Sequence, residues 1–195
     1  MTLFINHNDT NFEKKIQSYF NKIDIFDFTL NKKVKKILKN VKNNDDKALI
    51  KYSKKFDNYD PSIKGFYFEE HEIENFIEKI PEKQKNALNF ARERIFDYHK
   101  LQLPKKKIWI DKEGVELGWK WSPLESVGIY VPGGTASYPS SVLMNAIPAN
   151  VAGVKNIYMT SPTPHSIFNP LILYAAKISG VKKIFKIGGA QAIGA

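Results

Sequence analysis

The sequence predicts an α/β protein with a mostly helical N-terminal region, a β-hairpin, and then an incomplete Rossmann-like β-α-β-α-β unit with a parallel sheet. Apolar residues recur at helical spacing through the first hundred residues. Two short strand-like segments flank a turn just before residue 123, and beyond it apolar strand-like runs alternate with helical segments. We therefore divide the chain into residues 1–123 and residues 124–195, the second being the first part of a doubly wound fold.

Composition bounds the classes of protein to which the chain can belong. The 195 residues are 43% hydrophobic and 13% aromatic, which is enough to build a core. No cysteine is present, so disulfides and thiolate chemistry are excluded and a cytoplasmic location is expected. No apolar run approaches the roughly 20 residues that cross a bilayer, and the start lacks the order of a secretory signal. No membrane partner is expected.

The formal net charge of +10 has two interpretations. A basic surface attracts nucleic acid or an acidic membrane. The lysines are instead scattered in pairs among acidic residues, and no nucleic-acid motif accompanies them. We interpret the charge as solvated helix surface and expect no nucleic-acid partner. Binding to nucleic acid stays open as the alternative, and it predicts an affinity that falls steeply with salt.

Hydrophobic periodicity predicts the helices of the N-terminal region. They cover about 11–21, 29–41, 45–56, 69–80 and 81–103. Asn43, Asn44 and Asp45 break the pattern between the second and third helices, and Asp45 can cap the third. A short strand is predicted at 65–68. Pro81 suits the first position of the last helix.

A hairpin follows these helices. Its strands are predicted at 107–110 and 116–121, joined by a turn at 111–114 in which Gly114 can take a positive φ. The tryptophans Trp109, Trp119 and Trp121 are expected to be core or interface residues.

The second region reads as alternating strands and helices. Residues 127–131 are almost wholly apolar, which predicts a strand buried on both faces of a parallel sheet. A helix ending at Gly153, a strand at 156–160, a helix ending at Gly180, and a strand at 182–187 follow. The last residues open another helix.

In open parallel sheets, ligands bind beyond the carboxyl ends of the strands. Those ends are Tyr130 to Gly134, Thr160-Ser161, and Gly188 to Gln191. Glycine turns let a backbone approach a ligand closely, and the N-termini of the helices that follow favour anionic groups. Tyr130 offers a ring and a hydroxyl, and Gln191 offers an amide. The competing interpretation is that the glycines serve packing alone and Tyr130 is core, since neither standard phosphate fingerprint is present.

Other candidate site residues give weaker signals. The chain has four histidines, and their spacing in the sequence is not that of metal ligands: His7, His71, His99 and His165. His99 at a helix end suits the helix dipole better than ligation. Ser137, Ser140 and Ser141 read as loop and N-cap residues, not nucleophiles. No general acid or base emerges from the sequence.

Several stretches resemble one enzyme family, the histidinol dehydrogenases. The most specific are Tyr130 to Gly134 and Gly188 to Ala192, at the correct separation. The others are 45–57, 91–104, 118–123, 127–129, 141–149 and 152–154. The resemblance covers nearly all of the chain after about residue 30.

The resemblance implies an NAD- and zinc-dependent oxidation of L-histidinol to L-histidine through the aldehyde, the last step of histidine biosynthesis. It further implies a homodimer with Rossmann-like units. Two of the family's NAD contacts fall on Tyr130 and Gln191, the same side chains that the strand ends indicate.

Family members are considerably longer than this chain. The resemblance implies that their zinc ligands, catalytic Glu-His pair, substrate-binding residues and a further NAD contact lie outside it. We therefore expect an N-terminal part that is inactive by itself. A truncated product, a fragmentary sequence and half of a split gene remain open. The alternative function is a catalytically dead nucleotide- or partner-binding module.

Overall fold

The N-terminal region is helical, as the periodicity predicts. The computed structural model describes residues 4–21, 28–133 and 138–195. The helices of this region are α1 (Phe12–Phe20), α2 (Phe28–Asp57), α3 (Pro61–Lys64), α4 (Glu70–Glu78) and α5 (Glu82–Lys100). Pro81 occupies the N-cap position of α5, one residue before the first helical position that the sequence predicts for it.

The second and third predicted helices are two halves of α2 that meet at Asp45 without a loop. Asp45 has φ 44° and ψ −128°, so the helical geometry is interrupted where the sequence pattern breaks. Val41 in the first half and Leu49 in the second are buried in the same cluster with Ile187. Both halves therefore stay packed on one surface across the kink.

The predicted strand at 65–68 is wrong, because this segment forms only an isolated antiparallel bridge between Tyr67 and Phe185. Lys64 ends α3 and Glu69 caps α4, so few residues are free to extend. Hydrogen bonds from Phe68 N to Ile184 O (2.9 Å) and from Lys186 N to Phe66 O (2.7 Å) hold the segment in place. The segment therefore lies beside residues 184–186.

The hairpin forms as predicted from β1 (Lys107–Ile110) and β2 (Glu116–Trp119), which pair antiparallel. The Asp111 carboxylate accepts hydrogen bonds from the amides of Glu113 and Val115, and Gly114 has φ 81°. Every residue of both strands is exposed. The three tryptophans are 38–63% exposed, so their assignment to the core is wrong and an interface role stays a prediction.

The second region is a parallel β-α-β-α-β arrangement, which confirms the α/β class. The strands are β3 (Ser126–Tyr130), β4 (Asn156–Thr160) and β5 (Lys183–Phe185), in the order β3-β4-β5. The helices are α6 (Pro139–Val151), α7 (Pro170–Ile178) and α8 (Gly189–Gly194), with a short 3₁₀ turn at Pro164–Ser166. Gly153 and Gly180 have φ 88° and 84° just after α6 and α7, as predicted for helix ends.

The strand β3 is not buried on both faces, contrary to its apolar sequence. Its residues alternate between half-buried and exposed, whereas Ile157 and Met159 of β4 are 1% and 0% exposed. The strand order explains the difference, because β4 is central and β3 pairs with β4 alone.

The main core lies between one face of the sheet and α6 and α7. Its centre includes Leu143, Met159 and Leu173, and Ala91 and Ile95 of α5 pack against it. The smaller cluster of α2, Ile187 and Ala192 covers part of the other face. The division at residue 123 stays a prediction. In the described part of the chain, no helix is both long and apolar enough to cross a membrane.

Candidate functional site

The carboxyl ends of β3, β4 and β5 lie side by side, and Pro162 fits between the two glycine turns that follow β3 and β5. A Cβ on Gly133 would lie 2.4 Å from the carbonyl oxygen of Pro162. A Cβ on Gly188 would lie 2.4 Å from the Pro162 ring. Packing therefore requires glycine at both positions, whether or not a ligand binds. Gly134, the remaining glycine of the first turn, lies outside the described residues.

Tyr130 and Gln191 are brought to the same glycine, Gly189. The Gly189 amide donates a 3.1 Å hydrogen bond to the phenol oxygen of Tyr130. A Cβ on Gly189 would lie 2.6 Å from Oε1 of Gln191, and Gly189 has φ 68°. Tyr130, at the end of β3, and Gln191, in the helix that follows β5, thus both lie next to Gly189.

Tyr130 lies at the surface and not in the core. It is 36% exposed, and its ring stands at the end of the edge strand β3. Its phenol oxygen accepts from Gly189, and in the described residues no acceptor faces its own proton. The hydroxyl can therefore donate to a ligand while it holds the loop.

Gln191 is buried, with 1% of its surface exposed. Its Nε2 atom has no hydrogen-bond acceptor in the described part of the chain. A buried donor without a partner is energetically costly, and such atoms are rare in native proteins. A direct contact with a ligand requires this amide to turn outward from its present position.

Residues after β4 complete this end of the sheet. The Thr160 hydroxyl donates a short hydrogen bond to the carbonyl of Ile187, which ties the ends of β4 and β5 together. Ser161 is fully buried, and its hydroxyl has no partner among the described residues. Their position at a strand end was the sequence signal for both residues, but their contacts were not predictable from it.

A half-buried ion pair, which the sequence did not indicate, lies beside the end of β5. Lys186 is 6% exposed, and its ammonium donates to both carboxylate oxygens of Glu72 at 2.8 and 2.9 Å. The partners are 114 positions apart, so no local pattern connects them. Burial raises the pKa of Glu72, whereas the hydrogen bond from Lys186 lowers it, and the net direction is down.

The ion pair borders a cavity of about 400 Å³ that Tyr59, Lys64 and Phe168 also line. The buried Tyr59 hydroxyl donates toward the carbonyls of Lys64 and Gly65 at 2.9 and 2.8 Å. Burial first, and then the charges of Glu72 and Asp60, raise the pKa of Tyr59 to about 12. The polar groups here are paired with one another, so the cluster holds the segments around residues 59–65, 72 and 186 together.

The remaining candidate residues do not assemble a site. His99 and His165 bond to Gln102 and Asn58, at 2.7 and 3.1 Å. Across residues 4–21, 28–133 and 138–195, no group of three His, Asp or Glu side chains is placed to hold a metal ion. Ser140 and Ser141 lie in the first turn of α6, and Ser137 lies outside the described residues.

The fold and the strand-end site define an α/β protein with a candidate ligand site at the carboxyl edge of a parallel sheet. A model of the histidinol dehydrogenase family matches residues 23–195. The chain therefore belongs to the histidinol dehydrogenase family.

Individual relatives agree with this assignment. The histidinol dehydrogenases of Mesorhizobium japonicum and Brucella abortus are each 44% identical over all 195 residues. The crystal structure of histidinol dehydrogenase from Elizabethkingia anophelis superposes with a TM-score of 0.80 at 39% identity, covering 85% of this chain and 38% of that chain. The chain spans about 45% of the length of the curated relatives that it matches.

Proposed function

We propose that this chain supplies the NAD-binding portion of a histidinol dehydrogenase, the enzyme that oxidises L-histidinol to L-histidine. The observation that carries the proposal is the convergence of Tyr130 and Gln191 on Gly189 beyond the ends of the parallel strands. The names of the relatives supply the reaction class.

The residues present fit a nucleotide through its base and its hydroxyl groups. The Tyr130 ring is available for stacking and its hydroxyl proton for donation. Once the Gln191 amide has turned outward, its unpartnered Nε2 would gain an acceptor from a ribose or base. When bound, NAD supplies the hydride acceptor of an alcohol oxidation. The role of these residues is to bind the cofactor and to hold the loop at Gly189.

For the complete enzyme, the metal, substrate, assembly and location are proposed from family membership alone. We propose zinc and L-histidinol as the metal and substrate of the complete enzyme, a homodimer as its assembly, and the cytoplasm as its location. The described residues of this chain offer no ligand set for zinc, so its coordination is assigned to the remainder of the family's polypeptide.

Titration with NAD, followed by NMR, tests the cofactor site. We expect the amide signals of Gly189 and Gln191 to shift saturably, while those of the hairpin stay unchanged. Tyr130→Phe and Gln191→Ala should each weaken binding about threefold to tenfold, the effect of losing one hydrogen bond of roughly 1 kcal/mol.

Tyr158→Phe is the matched control. Tyr158 is an exposed tyrosine (38%) on the adjacent strand and lies away from the Gly189 turn, so this variant should bind like the original chain. An absence of shifts at Gly189 under saturating NAD would contradict the cofactor site. Oxidation of histidinol by the chain alone, with NAD and zinc, would contradict the view that it is only a portion of the enzyme.

A further inference from the structure

The cavity beside the Lys186–Glu72 ion pair lies between α4 and the segment 163–168 that follows β4. Its volume of about 400 Å³ is within the range of small-molecule pockets, roughly 300–1,000 Å³. None of the proposed cofactor contacts Tyr130, Gly189 and Gln191 lines it. The cavity therefore has room for a small ligand in addition to the cofactor proposed above.

The apolar wall of the cavity is aromatic. Phe68, Phe76 and Phe168 all line it, and Phe68 is only 7% exposed. The centre of the Phe68 ring lies 4.9 Å from that of Phe168 and 6.3 Å from that of Phe76. Aromatic rings pack favourably with one another when they are tilted or edge to face. A ligand with an aromatic body suits this wall.

The polar part of the cavity carries an excess of one positive charge. Its charged lining residues are Lys64, Glu72 and Lys186. Lys186 is neutralised by Glu72, at 2.8 Å. The Lys64 ammonium instead donates a 2.6 Å hydrogen bond to the uncharged Ser166 hydroxyl, and no carboxylate among residues 4–21, 28–133 and 138–195 pairs with it. An anionic group on a ligand would balance this charge.

Ser166 offers a second donor beside Lys64. Its hydroxyl oxygen accepts from Lys64, and its own proton has no acceptor in the described part of the chain. Ser166 and His165 have φ 63° and 55°, and His165 contacts Asn58, which has φ 48°. Left-handed residues other than glycine are uncommon and cluster at functional sites. The strained turn holds the Ser166 side chain beside the cavity.

We propose that this cavity binds a small aromatic monocarboxylate. The ring of the ligand packs against the three phenylalanine rings, and its carboxylate accepts hydrogen bonds from Lys64 and Ser166. A single negative charge matches the single uncompensated ammonium. A dianion would bring a second negative charge into a cavity that Glu72 also lines.

Titration of the 195-residue chain with benzoate, followed by NMR, tests the proposal. We expect the amide signals of Thr163, Ser166 and Phe168 to shift saturably, with a dissociation constant on the order of 1 mM, while the signal of Gly189 stays unchanged. The measurement requires no NAD, so a failure of the cofactor site would not alter its outcome.

Two further probes separate the contributions of ring and charge. Benzamide has the ring of benzoate without its charge, and acetate has the charge without the ring. Each should bind at least about tenfold more weakly than benzoate, because each loses either the charge-assisted hydrogen bonds or the aromatic contact. These comparisons use the original chain and do not depend on the folding of any variant.

Lys64→Gln should weaken benzoate binding about tenfold, because the positive charge is lost. Lys64 is exposed at the end of the short helix α3, so the variant should fold. Lys79→Gln is the matched control. Lys79 is an exposed lysine just after α4 that does not line the cavity, and its variant should bind benzoate like the original chain.

Three results would overturn the proposal. One is the absence of saturable shifts at Thr163, Ser166 and Phe168, or shifts at the Gly189 turn in their place. Another is benzamide or acetate binding as tightly as benzoate. The third is an equal affinity of the Lys64→Gln and Lys79→Gln variants for benzoate.

Discussion

Gly189 has both a backbone conformation and surroundings that leave no room for a side chain. Its φ of 68° is in the left-handed region, and a Cβ would lie 2.6 Å from the Gln191 amide. Gly133 and Gly188 are needed because Pro162 packs against them. The glycines of one sequence motif therefore have different physical roles, and Gly189 is the one in contact with both proposed cofactor residues.

Gly189→Ala should lower the free energy of unfolding and weaken NAD binding together. The left-handed conformation costs an alanine roughly 1–2 kcal/mol, and the displaced Gln191 side chain adds to this. Urea denaturation and the NMR titration measure the two effects.

Gly114→Ala is the matched control, because Gly114 has φ 81° but nothing within 4 Å of its Cβ position. Gly114→Ala should lower the free energy of unfolding by a similar conformational cost and leave NAD binding unchanged. Equal loss of NAD binding in both variants would refute a special role for Gly189.

At the scale of elements, the ion pair between Glu72 and Lys186 joins the start of α4 to the end of β5. Glu72 also accepts a 2.9 Å hydrogen bond from the amide of Glu69, so it caps α4 and binds the sheet at once. The Lys186 ammonium lies 4.5 Å from the centre of the Phe68 ring. This contact holds the helical region against the parallel unit.

The pair should make unfolding depend on pH in the acid range. The pKa of Glu72 is lower in the folded protein than its ordinary value of 4.5. Its contribution to stability is therefore fully present above pH 4.5 and is lost as the pH falls through the folded pKa. Glu72→Gln should cost about 1–2 kcal/mol at neutral pH, less than for a fully buried pair because Glu72 is partly exposed.

Urea unfolding of both proteins from pH 7 down to pH 3 checks this prediction. The difference between the original chain and Glu72→Gln should shrink below pH 4.5. Glu78→Gln, at the exposed end of the same helix, is the control and should leave the pH profile unchanged. A pH-independent difference for Glu72→Gln would contradict the ionic contribution.

At the scale of the whole molecule, the hairpin contributes no residue to either of the two hydrophobic core clusters. All three tryptophans of the chain lie on it or just after it, and none is buried. Trp109 and Trp119 stack edge to face, 5.3 Å apart, with the Lys107 ammonium 5.7 Å from each ring. A two-stranded hairpin is marginally stable alone, and exposed aromatic patches of this kind often mark interfaces.

The tryptophan emission maximum should therefore change little when the isolated chain unfolds. We expect a native emission maximum typical of water-exposed indole, with only a small red shift in urea, and easy quenching by acrylamide. Far-ultraviolet circular dichroism of the same samples supplies the control for unfolding. A strongly blue-shifted native emission would contradict the exposed hairpin.

The sequence by itself determined the order of elements, the hairpin turn, the kink at Asp45 and the residues at the strand ends. These depend on short-range rules, namely hydrophobic period, helix ends and glycine turns, which a local pattern records. The proximity of Tyr130 and Gln191 was predictable because the carboxyl ends of parallel strands share one edge, while their role as cofactor contacts stays a prediction.

Only the tertiary structure decided which strand is central and which groups are paired. The apolar sequence of β3 predicted burial on both faces, but burial depends on neighbouring strands, and β3 has one such neighbour here. The Lys186–Glu72 pair, the packing of Pro162 between two glycines and the buried amide of Gln191 join residues distant in sequence. Such contacts arise from the way the sheet and helices pack, and no local pattern encodes them.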